Sequence, residues 1–179
     1  MSGTSLKLIA ILGAESTGKT TLAQSLAQQF SCPWVAEYLR EFCDEKKRTP
    51  RPDEQPSIMD LQVARENLAI SLALEGHAPY VFCDTAPLLT AIYSDYVFSD
   101  RSLYPEARKL HARYALTLLL LPDIEWAPDG LQRDGAHVQG PIHARLKSAL
   151  NDMNATVATI QGSGESRTVN AVKAILDLA

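Results

Sequence analysis

The chain has 179 residues, a formal net charge of -4 at pH 7, and 46% hydrophobic and 21% charged residues. This length favours a single domain, 1–179, and the composition excludes the disordered, collagen-like and low-complexity classes. The negative charge argues against a nucleic-acid partner, because affinity for a polyanion comes mainly from Lys and Arg that neutralise its phosphates.

The cysteines and the apolar runs indicate the redox environment and whether the chain enters a membrane. Cys32, Cys43 and Cys83 are an odd number without metal-ligand spacing, which argues against a disulfide framework or a zinc site. Cys83 lies inside an apolar run and is predicted to be buried. The first residues lack the pattern of a signal peptide, and the apolar run at 116–121 is about a third of a membrane span. We therefore expect a reduced, cytoplasmic protein with no membrane partner.

The first half of the chain alternates apolar runs with segments of helical spacing. The run at 6–12 ends at Gly13 and is typical of a central parallel strand buried on both faces. Three prolines and four charges predict an exposed loop at 48–56. The predicted elements are strands at 6–12 and 32–36 and helices at 18–30, 37–46 and 57–76.

The second half continues this alternation around a polar, mobile loop at 123–141. The predicted elements are strands at 80–83, 115–121 and 155–160 and helices at 86–96, 105–114, 144–153 and 165–178. Such alternation predicts an α/β domain in which right-handed crossovers join five parallel strands. Ligands then bind at the carboxyl ends of the strands, and Gly13, Glu37, Asp84 and Pro122 each follow a predicted strand.

The nine residues after the first strand form a phosphate-binding loop. Glycines in the pattern G-x-x-x-x-G-K-[ST] let backbone N–H groups point at phosphate oxygens, and the following helix adds its partial positive charge. Lys19 would reach the β and γ phosphates, and the Thr20 hydroxyl would ligate Mg²⁺. We therefore expect ATP and Mg²⁺ to be the cofactors. The loop residues are Gly13, Ala14, Glu15, Ser16, Thr17, Gly18, Lys19, Thr20 and Thr21.

The surrounding residues favour phosphoryl transfer over hydrolysis. Motor and switch ATPases usually carry a carboxylate directly after the Asp that holds Mg²⁺, whereas Thr85 follows Asp84 here. The Asn-Lys-x-Asp run with which GTPases select guanine does not occur. A kinase instead needs a carboxylate beside the acceptor hydroxyl, because phosphoryl transfer depends mostly on positioning and charge stabilisation.

Two carboxylates are candidates for that catalytic role. Glu37 follows the second strand, where an acidic residue also suits the start of a helix. Asp84 follows the third strand, where contact with metal or substrate is compatible with capping the next helix. The residues alone leave open which of the two is the base.

Four motifs occur in a fixed order along the chain. They are G-x-E-S-T-G-K-T at 13–20, E-Y-x-R-E-F at 37–42, F-x-D-T at 82–85 and L-L-L-L-P-D-I-E-W-x-x-D-G at 118–130. Together they resemble the ribosylnicotinamide kinase domain of bacterial NadR-type proteins and its stand-alone AAA-domain relatives. The resemblance extends over about 8–178.

The resemblance implies a three-layer P-loop NTPase fold of the nucleoside and nucleotide kinase class, with a lid at approximately 123–147. It also implies transfer of the γ-phosphate of ATP, with Mg²⁺, to the ribose 5'-hydroxyl of nicotinamide riboside. Carried over by position, Glu37 or Asp84 would contact the acceptor ribose, and Tyr38 and Arg40 would shape its site. The segment at 126–130 would lead into the lid.

Aromatic side chains are candidates for the acceptor pocket, because a nicotinamide or nucleobase is usually held by stacking. We expect Tyr38, Tyr93 and Trp126 to bind the substrate, with Tyr96 as a further candidate and Asp129 as the acidic member of the set.

A closed lid excludes water, and a lid arginine can neutralise the transferring charge. Arg133 is the first choice for this catalytic role and Arg145 the second. In P-loop kinases a segment placed like 162–164 often surrounds the adenine.

Three functions stay open at this point. The first is an ATP-dependent kinase for a nucleoside-like acceptor, with nicotinamide riboside as the leading substrate. The second is a kinase for another nucleoside or nucleotide. The third is a non-catalytic regulatory module that binds ATP or NAD. The sequence does not predict an oligomeric state.

Overall fold

A computed structural model describes residues 5–127 and 135–178 of the chain. The strands are β1 (Lys7–Leu12), β2 (Trp34–Val35), β3 (Tyr80–Asp84), β4 (Tyr114–Leu120) and β5 (Val157–Ile160). The helices are α1 (Lys19–Phe30), α2 (Tyr38–Lys46), α3 (Gln55–Glu75), α4 (Pro87–Phe98), α5 (Tyr104–His111), α6 (Gln139–Asp152) and α7 (Gly164–Leu176). Short 3₁₀ turns at Pro52–Glu54 and Ala136–Val138 precede α3 and α6.

The five strands form one parallel sheet in the order β2-β3-β1-β4-β5, which confirms the expected α/β fold. β1 is central, with Ile11 beside Asp84 of β3 and Leu12 beside Leu119 of β4. Because all strands are parallel, their carboxyl ends meet at one edge of the sheet. The loops that follow β1, β2, β3 and β4 therefore converge there.

Both faces of the sheet are covered, so the fold has three layers. Along β1 the side chains alternate between two hydrophobic clusters, as the pleat of a strand requires. Leu8, Ala10 and Leu12 pack in a cluster that includes residues of α3, α4 and α6. Ile9 and Ile11 pack in a second cluster with α1 and α7. Such burial on both faces explains why the strands appear in the sequence as uninterrupted apolar runs.

Several boundaries differ from those expected, mainly next to proline. α3 begins at Gln55 instead of 57, and α6 begins at Gln139 instead of 144. Pro52 and Pro56 each lie in the first turn of a helical element, and Pro141 is the third residue of α6. A helix tolerates proline there because its first N–H groups have no intrahelical partner. β2 has only two residues, fewer than the expected 32–36.

The three cysteines are free thiols, and all three are buried. The buried position expected for Cys83 is confirmed, since it has no exposed surface. Over 5–127 and 135–178, none of the helices has both the length and the apolar character that a bilayer crossing needs.

Candidate active site

The phosphate loop joins β1 to α1 through a tightly closed turn. A Cβ added at Gly13 would lie 2.7 Å from Thr17 Oγ1 and 3.2 Å from the Cβ of Leu120, so only glycine fits between them. Gly18, the N-cap of α1, has a left-handed φ of 80°. Thr17 Oγ1 donates to the carbonyl oxygen of Ala14 over 2.8 Å and closes the turn. These contacts fix the closed shape of the loop.

Lys19 and Thr20, the first residues of α1, contact the rest of the site. The Lys19 Nζ donates to the carbonyl oxygen of Ala14 over 3.0 Å. The Thr20 hydroxyl donates to Oδ2 of Asp84 over 2.5 Å. The pairing of β1 with β3 makes the second contact possible, because it brings the last residue of β3 beside the loop.

Asp84 is a buried carboxylate with an uncommitted oxygen. The residue is only 1% exposed, and its Oδ1 is buried without a hydrogen-bond partner among the residues that the structure describes. Burial raises the pKa of this carboxyl, and Lys19 and the Thr20 hydroxyl partly oppose that shift. A hydroxyl and a carboxylate with a free oxygen are the hard donors that Mg²⁺ prefers, so these residues fit the ion.

Glu37 immediately precedes α2 and faces the same charges. β2 pairs with β3 so that Val35 lies beside Cys83, which brings Glu37 close to Thr85. The Thr85 hydroxyl donates to Glu37 Oε1 over 3.3 Å. Burial raises the pKa of Glu37, Lys19 partly opposes this, and the nearby Asp84 raises it further. A carboxylate with a raised pKa is better suited to accept a proton near neutral pH.

Thr85 adopts a backbone conformation that is rare for its side chain. Its φ is 76°, in the left-handed region that β-branched residues avoid. Its N–H donates to the carbonyl oxygen of Ile11 over 3.1 Å, which ties this turn to β1. Strain of this kind persists where the surrounding structure imposes it, and it often accompanies functional sites. Here it holds a hydroxyl against Glu37.

A cavity of about 420 Å³ extends from the phosphate loop towards α3 and α4. Glu37 and Arg40 form part of its wall, together with residues 15–21 of the loop. Its far part combines the apolar or aromatic side chains of Ile58, Tyr93 and Phe98 with the buried amide of Gln55. Such a mostly apolar space with a few polar groups is typical of a small-molecule site.

The expected substrate residues are distributed unevenly around this cavity. Arg40 and Tyr93 line it, whereas Tyr38 and Trp126 do not. The Tyr38 ring lies 4.7 Å from the Arg65 guanidinium, and its backbone N–H donates to Gln62 over 2.8 Å. Asp129 and Arg133 lie outside the described residues.

The second candidate for the lid arginine, Arg145, packs against α4. Its guanidinium lies 5.1 Å from the Tyr96 ring and 4.0 Å from the Asp95 carboxylate. These contacts hold both Arg145 and Tyr96 at the interface of α6 and α4, and neither side chain lines the cavity.

Arg167 of α7 was not predicted to be a site residue, although its guanidinium contacts the phosphate loop. It is only 4% exposed, and its guanidinium donates to the carbonyl oxygen of Thr17 and to Asp123. A signal was present, because Arg167 precedes the buried Ala171 and Ile175 at four-residue spacing. A charged residue on the apolar face of a helix indicates a buried partner.

With this geometry established, the chain can be compared with known proteins. A family described as AAA domain matches residues 8–167, which is most of the chain. The chain belongs to the AAA domain family. This membership confirms the AAA-domain relationship expected from the four ordered motifs.

Solved structures of similar fold include two NadR complexes. This AAA domain protein is 24% identical to NadR in complex with NR, with a TM-score of 0.81 over 97% of this chain and 51% of that one. It is 23% identical to NadR in complex with NAD and AMP-PNP, with a TM-score of 0.80 over 97% and 49%. The chain therefore spans about half of the length of these NadR chains.

A thymidylate kinase from Ehrlichia chaffeensis has the same fold over its whole length. The identity is 14% and the TM-score 0.67, over 98% of this chain and 100% of that one. At these identities the likenesses show the fold, and they confirm the P-loop kinase architecture and the structural resemblance to NadR.

Proposed function

We propose that this AAA domain protein is an ATP-dependent small-molecule kinase that phosphorylates a hydroxyl of a nucleoside-like acceptor. One observation carries the proposal. Glu37, with a raised pKa, stands in the wall of a cavity that begins at the phosphate loop and continues into an apolar space. A hydrolase has no need of such a space beyond the phosphates, because its acceptor is water.

Glu37 is the proposed general base. It lines the cavity, where an acceptor hydroxyl can reach it, whereas Asp84 is almost fully buried and bonded to Thr20. Proton removal from the hydroxyl as it attacks phosphorus needs a carboxylate within hydrogen-bond reach. Thr85 orients Glu37 for this step through its hydroxyl.

Lys19, Thr20 and Asp84 serve the donor. Lys19 leaves the Ala14 carbonyl to neutralise phosphate charge, as the lysine of this motif does in P-loop proteins. Thr20 and Asp84 would hold Mg²⁺, which, when bound, supplies positive charge against the phosphate oxygens. Arg40 adds a second cationic group at the cavity wall.

Nicotinamide riboside is the proposed acceptor, which would yield nicotinamide mononucleotide. The similarity of fold to NadR in complex with NR supports it, as do the aromatic side chains of Tyr93 and Phe98 in the cavity. The full-length match to a thymidylate kinase supports a second candidate, a kinase for another nucleoside or nucleotide.

A coupled assay of ADP release tests the proposal. Purified protein with Mg-ATP is offered nicotinamide riboside, thymidine, deoxyadenosine and thymidine monophosphate in separate reactions. Turnover with nicotinamide riboside alone supports the primary proposal, and turnover only with another acceptor supports the second candidate. ATP binding without turnover on any acceptor contradicts both and leaves a regulatory module.

Two lysine variants control the assay. Lys19→Ala removes the phosphate-binding charge and should abolish ATP binding and turnover. Lys173→Ala removes an exposed lysine of α7 and should leave both unchanged.

A further inference from the structure

The geometry points to Arg167 as a positioning residue for the nucleotide donor. Its side chain fixes the phosphate loop against the loop that follows β5. The inference rests on the proposed function in one respect, namely that the donor is a nucleoside triphosphate. Arg167 does not line the cavity and is not a catalytic residue. It acts through the backbone that it holds.

The guanidinium of Arg167 joins three loops at the carboxyl edge of the sheet. It donates to the carbonyl oxygen of Thr17 in the phosphate loop, after β1. It donates to the carbonyl oxygen of Leu121, after β4, over 3.2 Å. Its Nε donates to the carbonyl oxygen of Gly162, after β5, over 2.6 Å. One side chain thus sets the relative positions of three loops from different strands.

Asp123, in the loop that follows β4, completes this arrangement. One of its carboxylate oxygens accepts from Arg167, and the other accepts from the Gly162 N–H over 2.7 Å. Gly162 has a φ of 92°, and a Cβ there would lie 2.6 Å from Ser166 Oγ. Asp123 and Arg167 therefore hold the N–H and the carbonyl group of Gly162, a residue whose left-handed backbone conformation favours glycine.

Packing alone does not call for an arginine at this position. Ala171 and Ile175 occupy the same face of α7 and are fully buried, so an apolar residue would continue that face. Burial of a guanidinium is unfavourable unless its donors are satisfied. Burial lowers the pKa of Arg167, and the attraction of Asp123 opposes the shift.

The contacts of Arg167 lie on the side of the phosphate loop where we expect the nucleoside of the donor. In phosphoryl transfer the acceptor attacks the far phosphate, so acceptor and donor nucleoside lie at opposite ends of the triphosphate. The acceptor cavity opens on the side of α3 and α4, beside Glu37. The nucleoside of the donor then leaves the phosphate loop on the side of β4 and β5, where Gly162 and Asp123 lie. Arg167 bridges the two parts of the donor site.

Calorimetry with two ligands, in the absence of acceptor, tests the inference. Mg-ATP reports on the whole donor site and Mg-tripolyphosphate on the phosphate loop alone. Arg167→Gln should lower the affinity for both ligands by about tenfold, which is the effect expected from losing a hydrogen bond to a charged group. Asp123→Asn should weaken the binding of ATP by about fivefold and that of tripolyphosphate less, because Asp123 contacts the Gly162 loop directly and the phosphate loop only through Arg167. The KM for the acceptor should not change in either variant.

The matched control is Arg108→Gln, which removes another arginine of an ion pair. Arg108 pairs with Asp152 over 3.6 Å at an exposed position, and both ligands should bind this variant normally. A lower melting temperature of Arg167→Gln with normal affinity for both ligands would overturn the inference, because the residue would then be structural only.

Asp123→Asn decides the question if Arg167→Gln does not fold. Its side chain is 33% exposed, so the substitution is compatible with folding, and normal ATP affinity in this variant overturns the inference. The proposed function fails separately, when the wild-type protein binds ATP but phosphorylates no acceptor. A wild-type protein that binds no ATP contradicts both.

Discussion

Thr20 and Asp84 are joined by a 2.5 Å hydrogen bond from the Thr20 hydroxyl to Oδ2 of Asp84, between the first turn of α1 and the end of β3. The bond uses one carboxylate oxygen and leaves Oδ1 buried and without a hydrogen-bond partner in the described parts of the chain. A polar atom in this state is unfavourable by itself, and a bound cation would relieve it.

Asp84→Asn should therefore separate metal binding from stability. The amide can still accept from Thr20 but cannot neutralise a cation, so the Mg²⁺ concentration for half-maximal activity should rise about tenfold or more. The unfolding free energy at pH 7 should stay the same or rise, because burial raises the pKa of Asp84 and so disfavours its charged form. Magnesium titration of turnover and urea unfolding measure the two effects. Asp60→Asn, an exposed change on α3, is the control.

Glu37→Gln should abolish the base and spare the donor site. We expect kcat to fall by about 10²- to 10⁴-fold while ATP affinity, measured by calorimetry, stays within about twofold of the wild type. Glu41→Gln is the matched control, because Glu41 lies four residues later, in the first turn of α2, and accepts a hydrogen bond from Arg65 over 2.6 Å at the surface. Full activity of Glu37→Gln would eliminate the assignment of Glu37 as the base.

Much of the fold was predictable because it depends on local patterns. Central strands buried on both faces produce apolar runs, and the phosphate loop has a fixed spacing. Glu37 and Asp84 could be placed near each other from the rule that parallel strands end at one edge. The early start of α6 was not predictable in the same way, because proline in a first turn has the same appearance as proline in a loop.

The contacts that join distant segments could not be derived from the chain alone. Arg167 reaches Thr17 across 150 positions, and Thr85 reaches Glu37 across 48. Neither pair has a characteristic spacing, since both depend on strand order and on which helix crosses the sheet. The aromatic candidates could not be ranked from the sequence for the same reason. Nothing in the sequence distinguishes Tyr38 from Tyr93 as a pocket residue, and only Tyr93 lines the cavity.

Thr85→Val and Thr85→Ser together test whether the Thr85 hydroxyl sets the proton affinity of Glu37. The hydroxyl bond lowers the pKa of Glu37 against the larger effect of burial. Valine keeps the shape and the strained φ of 76° but removes the hydroxyl, so the pKa should rise. The general base must be deprotonated, and activity is lost as the pH falls through that pKa. The acidic limb of kcat against pH should therefore move to higher pH in Thr85→Val.

Thr85→Ser is the matched variant, because it keeps the hydroxyl and removes only the methyl group. Its acidic limb should coincide with that of the wild type. If the two variants have the same pH profile, Thr85 acts through packing or backbone conformation and does not orient Glu37.

His111 should make the protein less stable in mild acid. The residue is 3% exposed, its Nε2 lies 2.9 Å from Thr117 Oγ1, and burial lowers its pKa to about 4 from 6.5. The unfolded chain binds a proton below pH 6.5 while the folded chain resists it, so stability falls as pH decreases from 6.5 towards 4. The contribution of this one group between pH 7.5 and pH 5 is about 2 kcal/mol.

Urea unfolding at these two pH values, on the wild type and on His111→Gln, isolates this effect. Other groups contribute to both proteins and cancel in the comparison. Glu37 and Asp84 act with the opposite sign, because their raised pKa values make stability fall as pH increases above 4.5 and 3.8, respectively. An equal pH dependence in His111→Gln and the wild type would show that the pKa of His111 is the same in the folded and the unfolded chain, which its buried position opposes.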